Sequence, residues 1–331
     1  MSKDLVKKLV IDSGALRVAA RWQGKGVALL MYHSVSDNPN SQQDTLGGIA
    51  HSTLVFRGQM EVIAREFNPI TIEDLFLFLK GQRDLPSRPV VVTFDDGYAD
   101  NYHLASPILE QFGIPGVFYV TVDCVERQMP PWPAQLRFAF LTSGKTGWAD
   151  PDQRRWSLAT REDKIRAFER ASEFCGKLSG SPQSDFIAHI YSDLAIEPVR
   201  NRPSLMMSWD QVRGLLRAGH TVGSHTMTHP NMAHVGEQDA RREFLESKRC
   251  LERKLGQPAV HFSYPCPALQ PHWREATVRL SREIGYKTAV TANGGLVRAH
   301  HEPLCLRRIR PTKQVAGLRW NLECTFAGRV V

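Results

Sequence analysis

A short apolar stretch that ends in two adjacent carboxylates constrains this chain more than any other feature. Residues 90–94 read V-V-V-T-F, and Asp95, Asp96 and Gly97 follow directly. A continuous apolar run of this length is typical of a strand buried on both faces of a parallel sheet, and functional groups collect where such strands end. Two neighbouring carboxylates repel each other, and a bound divalent cation is one interaction that would offset this repulsion. The alternative is that both cap the next helix in solvent.

Strand-like and helix-like segments alternate about six or seven times along the chain. Short apolar runs predict strands, and runs with apolar residues every three or four positions predict helices between them. This alternation predicts an α/β fold of parallel strands joined by crossover helices. The predicted strands span residues 27–33, 90–94, 117–122, 220–224, 260–264, 287–290 and 304–309.

Residues 127–203 depart from the alternation. They contain M-P-P-W-P near their start and helical segments at about 163–178 and 185–194, with no strand signal. We therefore expect a helical insertion that lies over one rim and has no adequate core of its own. Residues 1–24 predict an N-terminal helical lead-in, and residues 25–331 predict the main domain.

Composition and charge narrow the function classes. The chain has 331 residues and a formal net charge of +8, but no basic run interleaved with aromatics, so we expect no nucleic-acid partner. No apolar run reaches the roughly 18 residues of a membrane span, and the first residues lack a signal-peptide core, so we expect a cytoplasmic protein. Peripheral contact with an anionic membrane stays open. The six scattered cysteines predict reduced thiols, and no nucleotide-binding or serine-elbow motif is present.

A second cluster of polar residues, S-H-T-M-T-H-P at 224–230, directly follows another predicted strand. His225 and His229 are four residues apart, which on one helical turn places them on the same face. Two histidines at this spacing suit one metal ion, whereas a single histidine is more often structural. With one carboxylate from the first cluster the set becomes Asp-His-His with open positions, as in catalytic rather than structural metal sites.

These two motifs, T-F-D-D-G-Y and S-H-T-M-T-H-P, resemble those of the polysaccharide deacetylases, the NodB-homology group related to carbohydrate esterase family 4. M-Y-H-S-V at 31–35, S-W-D-Q-V-R at 208–213 and F-S-Y-P at 262–265 are also similar. The resemblance covers about residues 27–310 apart from the insertion. It implies a distorted (β/α) barrel of about seven parallel strands.

The resemblance also implies a function. Asp96, His225 and His229 would bind a divalent cation, zinc before cobalt or nickel, and Asp95 would be the general base for a water that attacks an N-acetyl carbonyl. The substrate would be an N-acetylated glycan or a lipid- or nucleotide-linked precursor. A glycan-binding protein that has lost turnover, and a hydrolase of a non-sugar amide, are the alternatives. The oligomeric state is not predicted.

The sequence departs from the family at two places. Ser263 and Pro267 stand where many members have Arg and Gly, and Arg308 or Arg310 could reach Asp95 from the last predicted strand instead; the alternative is that both arginines are solvated. No Leu-x-x-His is formed near His300 and His301, so the general acid is unassigned. The candidate substrate-binding residues, each of which could instead be structural, are His33, Tyr98, Tyr264, Pro265 and Arg308.

Overall fold

Short apolar segments form a parallel sheet at the centre of the molecule, seen here in a computed structural model that describes residues 3–22, 26–197 and 205–329. The strands are β1 (Ala28–Tyr32), β2 (Ser34–Ser36), β3 (Ala50–Ser52), β4 (Asn68–Pro69), β5 (Pro89–Phe94), β6 (Gly116–Val120), β7 (Gly147–Ala149), β8 (Arg155–Ser157), β9 (Thr221–Ser224), β10 (His261–Ser263) and β11 (Thr288–Val290). The main sheet runs in the order β1-β5-β6-β9-β10-β11, all parallel, with β4 paired to the start of β5.

The helices occupy the crossovers between these strands, as expected for parallel pairing. They are α1 (Lys3–Asp12), α2 (Ala15–Trp22), α3 (Gln43–Leu46), α4 (Thr53–Glu66), α5 (Ile72–Leu79), α6 (Ser106–Gln111), α7 (Val122–Arg127), α8 (Trp132–Thr142), α9 (Arg161–Cys175), α10 (Gly180–Asp193), α11 (Trp209–Arg217), α12 (Glu237–Leu255), α13 (Glu275–Glu283) and α14 (Val315–Phe326). A π-helical turn, Asn101–Ala105, precedes α6. The predicted α/β barrel is confirmed.

The barrel is closed by an irregular segment rather than by the strand predicted at 304–309. Leu306 exchanges backbone hydrogen bonds with Ala289 and Thr291 at the β11 side, and Ile309 does so with Leu29 and Met31 of β1. The segment changes partner strand within three residues, so neither ladder can grow into a regular strand. It still joins the two ends of the sheet and places Arg308, between the two bridges, at the barrel.

The insertion differs from the prediction in two ways. It contains an antiparallel hairpin, β7 with β8, in which Trp148 lies opposite Trp156. It also has its own cluster of buried apolar side chains, including Trp132, Phe140 and Tyr191. The prediction of no strand and no separate core is therefore wrong, because three-residue strands are too short to give a detectable period. Residues 198–203, its predicted end, lie outside the described part.

The N-terminal helices pack on the last helix, where Ile11 and Leu16 are buried with Cys324. The predicted end of the lead-in at Gly24 lies outside the described residues. All six cysteines are free. Among the described helices, none is both long and apolar enough to span a bilayer.

Candidate metal centre and catalytic cavity

The carboxyl ends of neighbouring strands bring the two predicted clusters together. In the register of the sheet, the end of β5 lies beside the ends of β1 and β6, and Val120 at the end of β6 pairs with Ser224 of β9. Asp96 therefore lies next to the loop that carries His225 and His229. Their ligand atoms all lie within 4.8 Å of one another, and all three residues are buried. Only this group, within the described residues, has the geometry of a metal site.

The turn after β5 points Asp96 into the barrel. Asp96 has a φ of +77° and Gly97 a φ of +93°, so two successive residues adopt left-handed backbone. A non-glycine residue rarely adopts this conformation without a compensating interaction. Asp95 and Asp96 are only 2% and 4% exposed. This burial excludes the alternative in which both carboxylates cap a helix in solvent.

The loop between the histidines is not the helical turn that the spacing predicts. Thr226 and His229 have positive φ values of 69° and 62°, so the chain cannot continue as a helix. Instead Glu243 of α12 accepts hydrogen bonds from the backbone N–H groups of Met227 and Thr228, at 2.8 and 3.0 Å, and from the Thr228 hydroxyl. The two imidazoles still meet, with ring centroids 4.9 Å apart, because the loop is held by a buried carboxylate.

Both imidazoles present Nε2 to the same carboxylate oxygen. Nε2 of His225 lies 3.4 Å from Oδ1 of Asp96, and Nε2 of His229 lies 3.3 Å from it. The Nδ1 N–H of His225 donates to the carbonyl of Ser263 at 2.8 Å, which leaves its Nε2 without a proton in the neutral ring. Trp132 of the insertion donates to the carbonyl of His229 at 2.8 Å and fixes that end of the loop.

The donor set fits a divalent cation. Oδ1 of Asp96 is buried and accepts no hydrogen bond within the described structure, although two imidazole nitrogens face it. A buried carboxylate oxygen without a donor is costly, and a cation between these three groups would satisfy it. Burial alone would raise the pKa of Asp96, but the adjacent imidazoles of His225 and His229 outweigh it and hold that pKa well below its usual value. The carboxylate is therefore ionised, as a ligand must be.

Asp95 lies beside this centre and is bound by Arg308. The guanidinium donates to both carboxylate oxygens, at 2.8 and 2.7 Å. Its other N–H groups donate to the carbonyl of Thr291, the hydroxyl of Thr93 and the hydroxyl of Ser263. All five donors of the guanidinium are thus matched. Burial would raise the pKa of Asp95, but the positive charge of Arg308 outweighs it and lowers the pKa below its usual value.

This arrangement explains the departure at Ser263. The short hydroxyl leaves room for a guanidinium from the closing segment and accepts one of its hydrogen bonds. Arg308, not Arg310, faces Asp95. Because every N–H of Arg308 is already used, it has no donor for a substrate, and its predicted substrate-binding role does not fit the structure.

A cavity of about 290 Å³ opens onto this candidate metal centre. His33 and Tyr98 lie on its wall with Asp95, Asp96 and the two histidines. Residues 45–49 form another part of the wall, and Pro131, Ala134, Arg137 and Phe168 extend it from the insertion. The insertion therefore shapes the space in which a substrate would lie.

Besides Arg308, two further predicted substrate-binding residues, Tyr264 and Pro265, do not line this cavity. Tyr264 is 1% exposed and packs in the apolar cluster between β10 and α13, with its hydroxyl 3.3 Å from the Ser281 hydroxyl and from the carbonyl of Leu304. Pro265 is also buried outside the cavity wall. The structural interpretation of Tyr264 is therefore the one that fits.

Sequence reasoning missed Glu243 and Trp132. A signal for Glu243 was present, since it lies in α12 on the buried stripe of Ala240, Phe244 and Ser247, where a carboxylate needs partners. Trp132 gave no comparable signal, because its contact with His229 joins segments 97 residues apart.

Comparisons with known proteins agree with the fold and the site. The sequence model described as polysaccharide deacetylase matches residues 82–289, more than half of the chain. The poly-beta-1,6-N-acetyl-D-glucosamine N-deacetylase of Escherichia coli is 29% identical over 108 residues, which cover 32% of this chain and 16% of that protein.

Two solved structures share the fold. A Streptococcus pyogenes deacetylase, PplD, in complex with acetate has a TM-score of 0.61 at 16% identity and covers 90% of this chain and 98% of its own. IcaB from Ammonifex degensii has a TM-score of 0.59 at 20% identity, with coverages of 91% and 97%. At these identities the similarity supports the barrel architecture.

Proposed function

This chain belongs to the polysaccharide deacetylase family, and on that premise we propose that it hydrolyses the N-acetyl group of an N-acetylated sugar with one divalent cation. The resemblance predicted from the sequence is confirmed at the level of the family. The observation that carries the proposal is the convergence of Asp96, His225 and His229 beside a separate, arginine-bound Asp95. Zinc is the first candidate, since two imidazoles and one carboxylate suit it, and cobalt or nickel also accept these ligands.

The substrate class follows from the relatives and the cavity. One relative is named for deacetylating a polymer of N-acetylglucosamine. The cavity beside the proposed metal ligands is open, with an aromatic ring, Phe168, and the half-buried Arg137 on its wall. An aromatic ring packs against the apolar face of a sugar, and a guanidinium donates to its hydroxyl groups. We therefore infer an N-acetylhexosamine unit of a glycan or of a glycan precursor.

The residues divide the chemistry between them. A cation bound at the three ligands would polarise the acetyl carbonyl and make a coordinated water a better nucleophile near neutral pH. Asp95 is ionised and fixed by Arg308, so it accepts the proton of the attacking water. The bidentate contact keeps both carboxylate oxygens in one orientation during that transfer. Asp96 cannot share this role, because its free oxygen faces the imidazoles.

His33 is our candidate for the group that returns a proton to the leaving amine. Three histidines line the described cavity wall, and His33 is the one that is not a proposed metal ligand. Burial lowers the pKa of His33 below its usual value, and the carboxylates of Asp96 and Asp95 offset only part of that effect. Asn101 donates to its backbone carbonyl at 2.7 Å and holds the end of β1 in place.

The proposal is tested by metal content and acetate release. The purified chain should contain one equivalent of metal and release acetate from N-acetylglucosamine oligomers. His225→Ala should lose both metal and activity, whereas Asp95→Asn should keep the metal and lose activity. A chain that stays inactive on these oligomers with metal bound would contradict the proposed substrate, and one that binds no metal would contradict the mechanism.

The alternative of a glycan-binding protein without turnover has lost one of the departures from the family pattern that motivated it. It rested partly on the missing family arginine, and Arg308 now supplies a guanidinium at Asp95. The missing Leu-x-x-His does not decide the matter, because His33 offers an imidazole on the same cavity.

A further inference from the structure

A second cavity, of about 610 Å³, lies outside the catalytic cavity. Its wall is built from residues 292–301, from residues 307–310 of the closing segment and from the last turns of α14. The proposed mechanism uses none of this wall except Arg308, whose guanidinium is committed to Asp95. The cavity therefore needs an explanation of its own.

The wall of this cavity is strongly basic. Among the described residues that line it, five are arginines, two are histidines and none is an aspartate or glutamate. Arg307, Arg310 and Arg329 form no ion pair with any described residue, unlike Arg308. The basic side chains on the wall are those of Arg298, His300, His301, Arg307, Arg308, Arg310 and Arg329.

The loop before the closing segment is shaped around one of these arginines. Gly295 has a φ of +127°, and a Cβ at this position would lie 3.3 Å from Cδ of Arg307. Arg307 donates to the carbonyl of Gly294 at 3.3 Å. The backbone N–H of Arg298 donates to Nδ1 of His301 at 3.2 Å. Glycine at 295 thus lets Arg307 lie flat against the loop, with its guanidinium at the cavity.

Helix α14 ends at this cavity, and its carboxyl end should repel a bound anion less than the direction of the helix alone suggests. The carboxyl end of α14 carries a partial negative charge. However, the N–H groups of Gly328 and Arg329 already bond the carbonyls of Thr325 and Cys324, at 3.0 and 2.9 Å. The side-chain amide of Asn321 lines the cavity instead and can donate hydrogen bonds, whereas the Thr325 hydroxyl already donates to the carbonyl of Asn321 at 2.6 Å.

The positive groups act on one another. The pKa of His301 is lowered by burial first and then by His300, Arg307 and Arg298. The rings of His300 and His301 lie 4.8 Å apart. These groups are therefore close enough to repel, and a bound anion would relieve that repulsion.

We propose that this basic cavity binds a phosphate or diphosphate group. A single arginine fork satisfies a carboxylate, whereas arginines from three separate segments surround this space, and phosphate offers more acceptor oxygens and more charge. The volume also exceeds that of an inorganic ion and falls in the range of small-molecule sites. The phosphate belongs either to a phosphorylated sugar or to a free inorganic anion. This site does not depend on the proposed deacetylase activity.

The test is calorimetric titration of the full-length, metal-loaded chain at low salt, with inorganic phosphate, inorganic pyrophosphate and N-acetylglucosamine 1-phosphate. We expect saturable binding that weakens about tenfold or more in the Arg307→Gln/Arg329→Gln double variant, because charge-assisted hydrogen bonds are lost. Arg249→Gln, at an exposed arginine on α12 that forms no ion pair with any described residue, is the matched control and should bind normally. Both replaced arginines are exposed, so the double variant should fold. If it does not fold, the single Arg329→Gln variant replaces it in the titration.

Pyrophosphate also binds metal ions, so His225→Ala separates the two sites. Binding that persists in His225→Ala and falls in the arginine double variant supports the basic cavity. No saturable binding of any of the three probes, or binding that His225→Ala abolishes, overturns the proposal. Tighter binding of the sugar phosphate than of inorganic phosphate assigns a phosphorylated sugar, and equal binding assigns the free anion.

Discussion

Replacing Arg308 by glutamine should reduce both stability and catalysis, because it leaves Asp95 buried without its counter-charge. The carboxylate is 2% exposed and receives two charge-assisted hydrogen bonds from the guanidinium. Removing one partner of a buried ion pair costs about 3–5 kcal/mol. Set against a typical unfolding free energy of about 5–15 kcal/mol, this is a large fraction. Arg308→Lys keeps the charge but not the five-donor fork, so it should lose less stability.

The assay combines urea unfolding at pH 7 with initial rates of acetate release measured well below the unfolding transition. Because Arg308 also orients Asp95, we expect the rate to fall about 10- to 100-fold while metal content stays at one equivalent. Arg88→Gln is a matched control. It breaks another ion pair, between the half-buried Arg88 and the buried Glu323 of α14 at 2.6 Å, outside the wall of the catalytic cavity. Arg17 still lies 3.5 Å from Glu323, so the loss of stability should be smaller than in Arg308→Gln.

Both Arg308→Gln and Arg88→Gln should be less stable than the unchanged chain. Only Arg308→Gln should release acetate more slowly under conditions in which the protein is folded. A loss of less than about 1 kcal/mol in Arg308→Gln would refute the claim that Asp95 depends on this partner. Equal rates in Arg308→Gln and Arg88→Gln would refute its role in orienting the base.

Three further changes should have measurable effects. Glu243→Gln should weaken metal binding about 10- to 100-fold in a competition titration, because the loop of His225 and His229 loses its anchor; unchanged affinity would contradict this role. Phe168→Ala should raise KM with little change in kcat, since it removes a cavity wall and no reacting group; a selective fall in kcat would argue otherwise. Burial raises the pKa of Asp100 to about 7. The free energy of unfolding should therefore fall as pH rises from about 4 through 7, by at most about 4 kcal/mol. Denaturant titrations of Asp100→Asn over this pH range should show a smaller decline.

The sequence was sufficient for the fold because its strands are short, continuously apolar and separated by amphipathic helices. Residues 90–94 and the parallel partners of this strand in the sheet carry that signal directly. The closing segment was harder to predict. Leu306 and Ile309 are apolar and suit a strand, but they pair with different neighbours, and no local pattern records a change of partner.

The site was predictable in its residue types but not in its geometry. The spacing of His225 and His229 correctly suggested that they meet, yet for the wrong reason, since the loop is held by Glu243 and not by a helical turn. The identity of the partner of Asp95 needed the structure, because Arg308 and Arg310 are equally plausible from their positions in the chain. The proposed roles of His33 and Tyr98 stay predictions, as do the cytoplasmic location and the domain bounds.

The most direct test of the mechanism is anomalous X-ray diffraction at the zinc edge from crystals of the zinc-loaded chain. Our account predicts one strong peak within about 2.0–2.2 Å of an Asp96 oxygen and of Nε2 of both His225 and His229. Asp95 should stay on Arg308, outside the coordination sphere. A peak elsewhere, or a cation bound by Asp95 in place of Asp96, would contradict the division of labour on which the proposed hydrolysis rests.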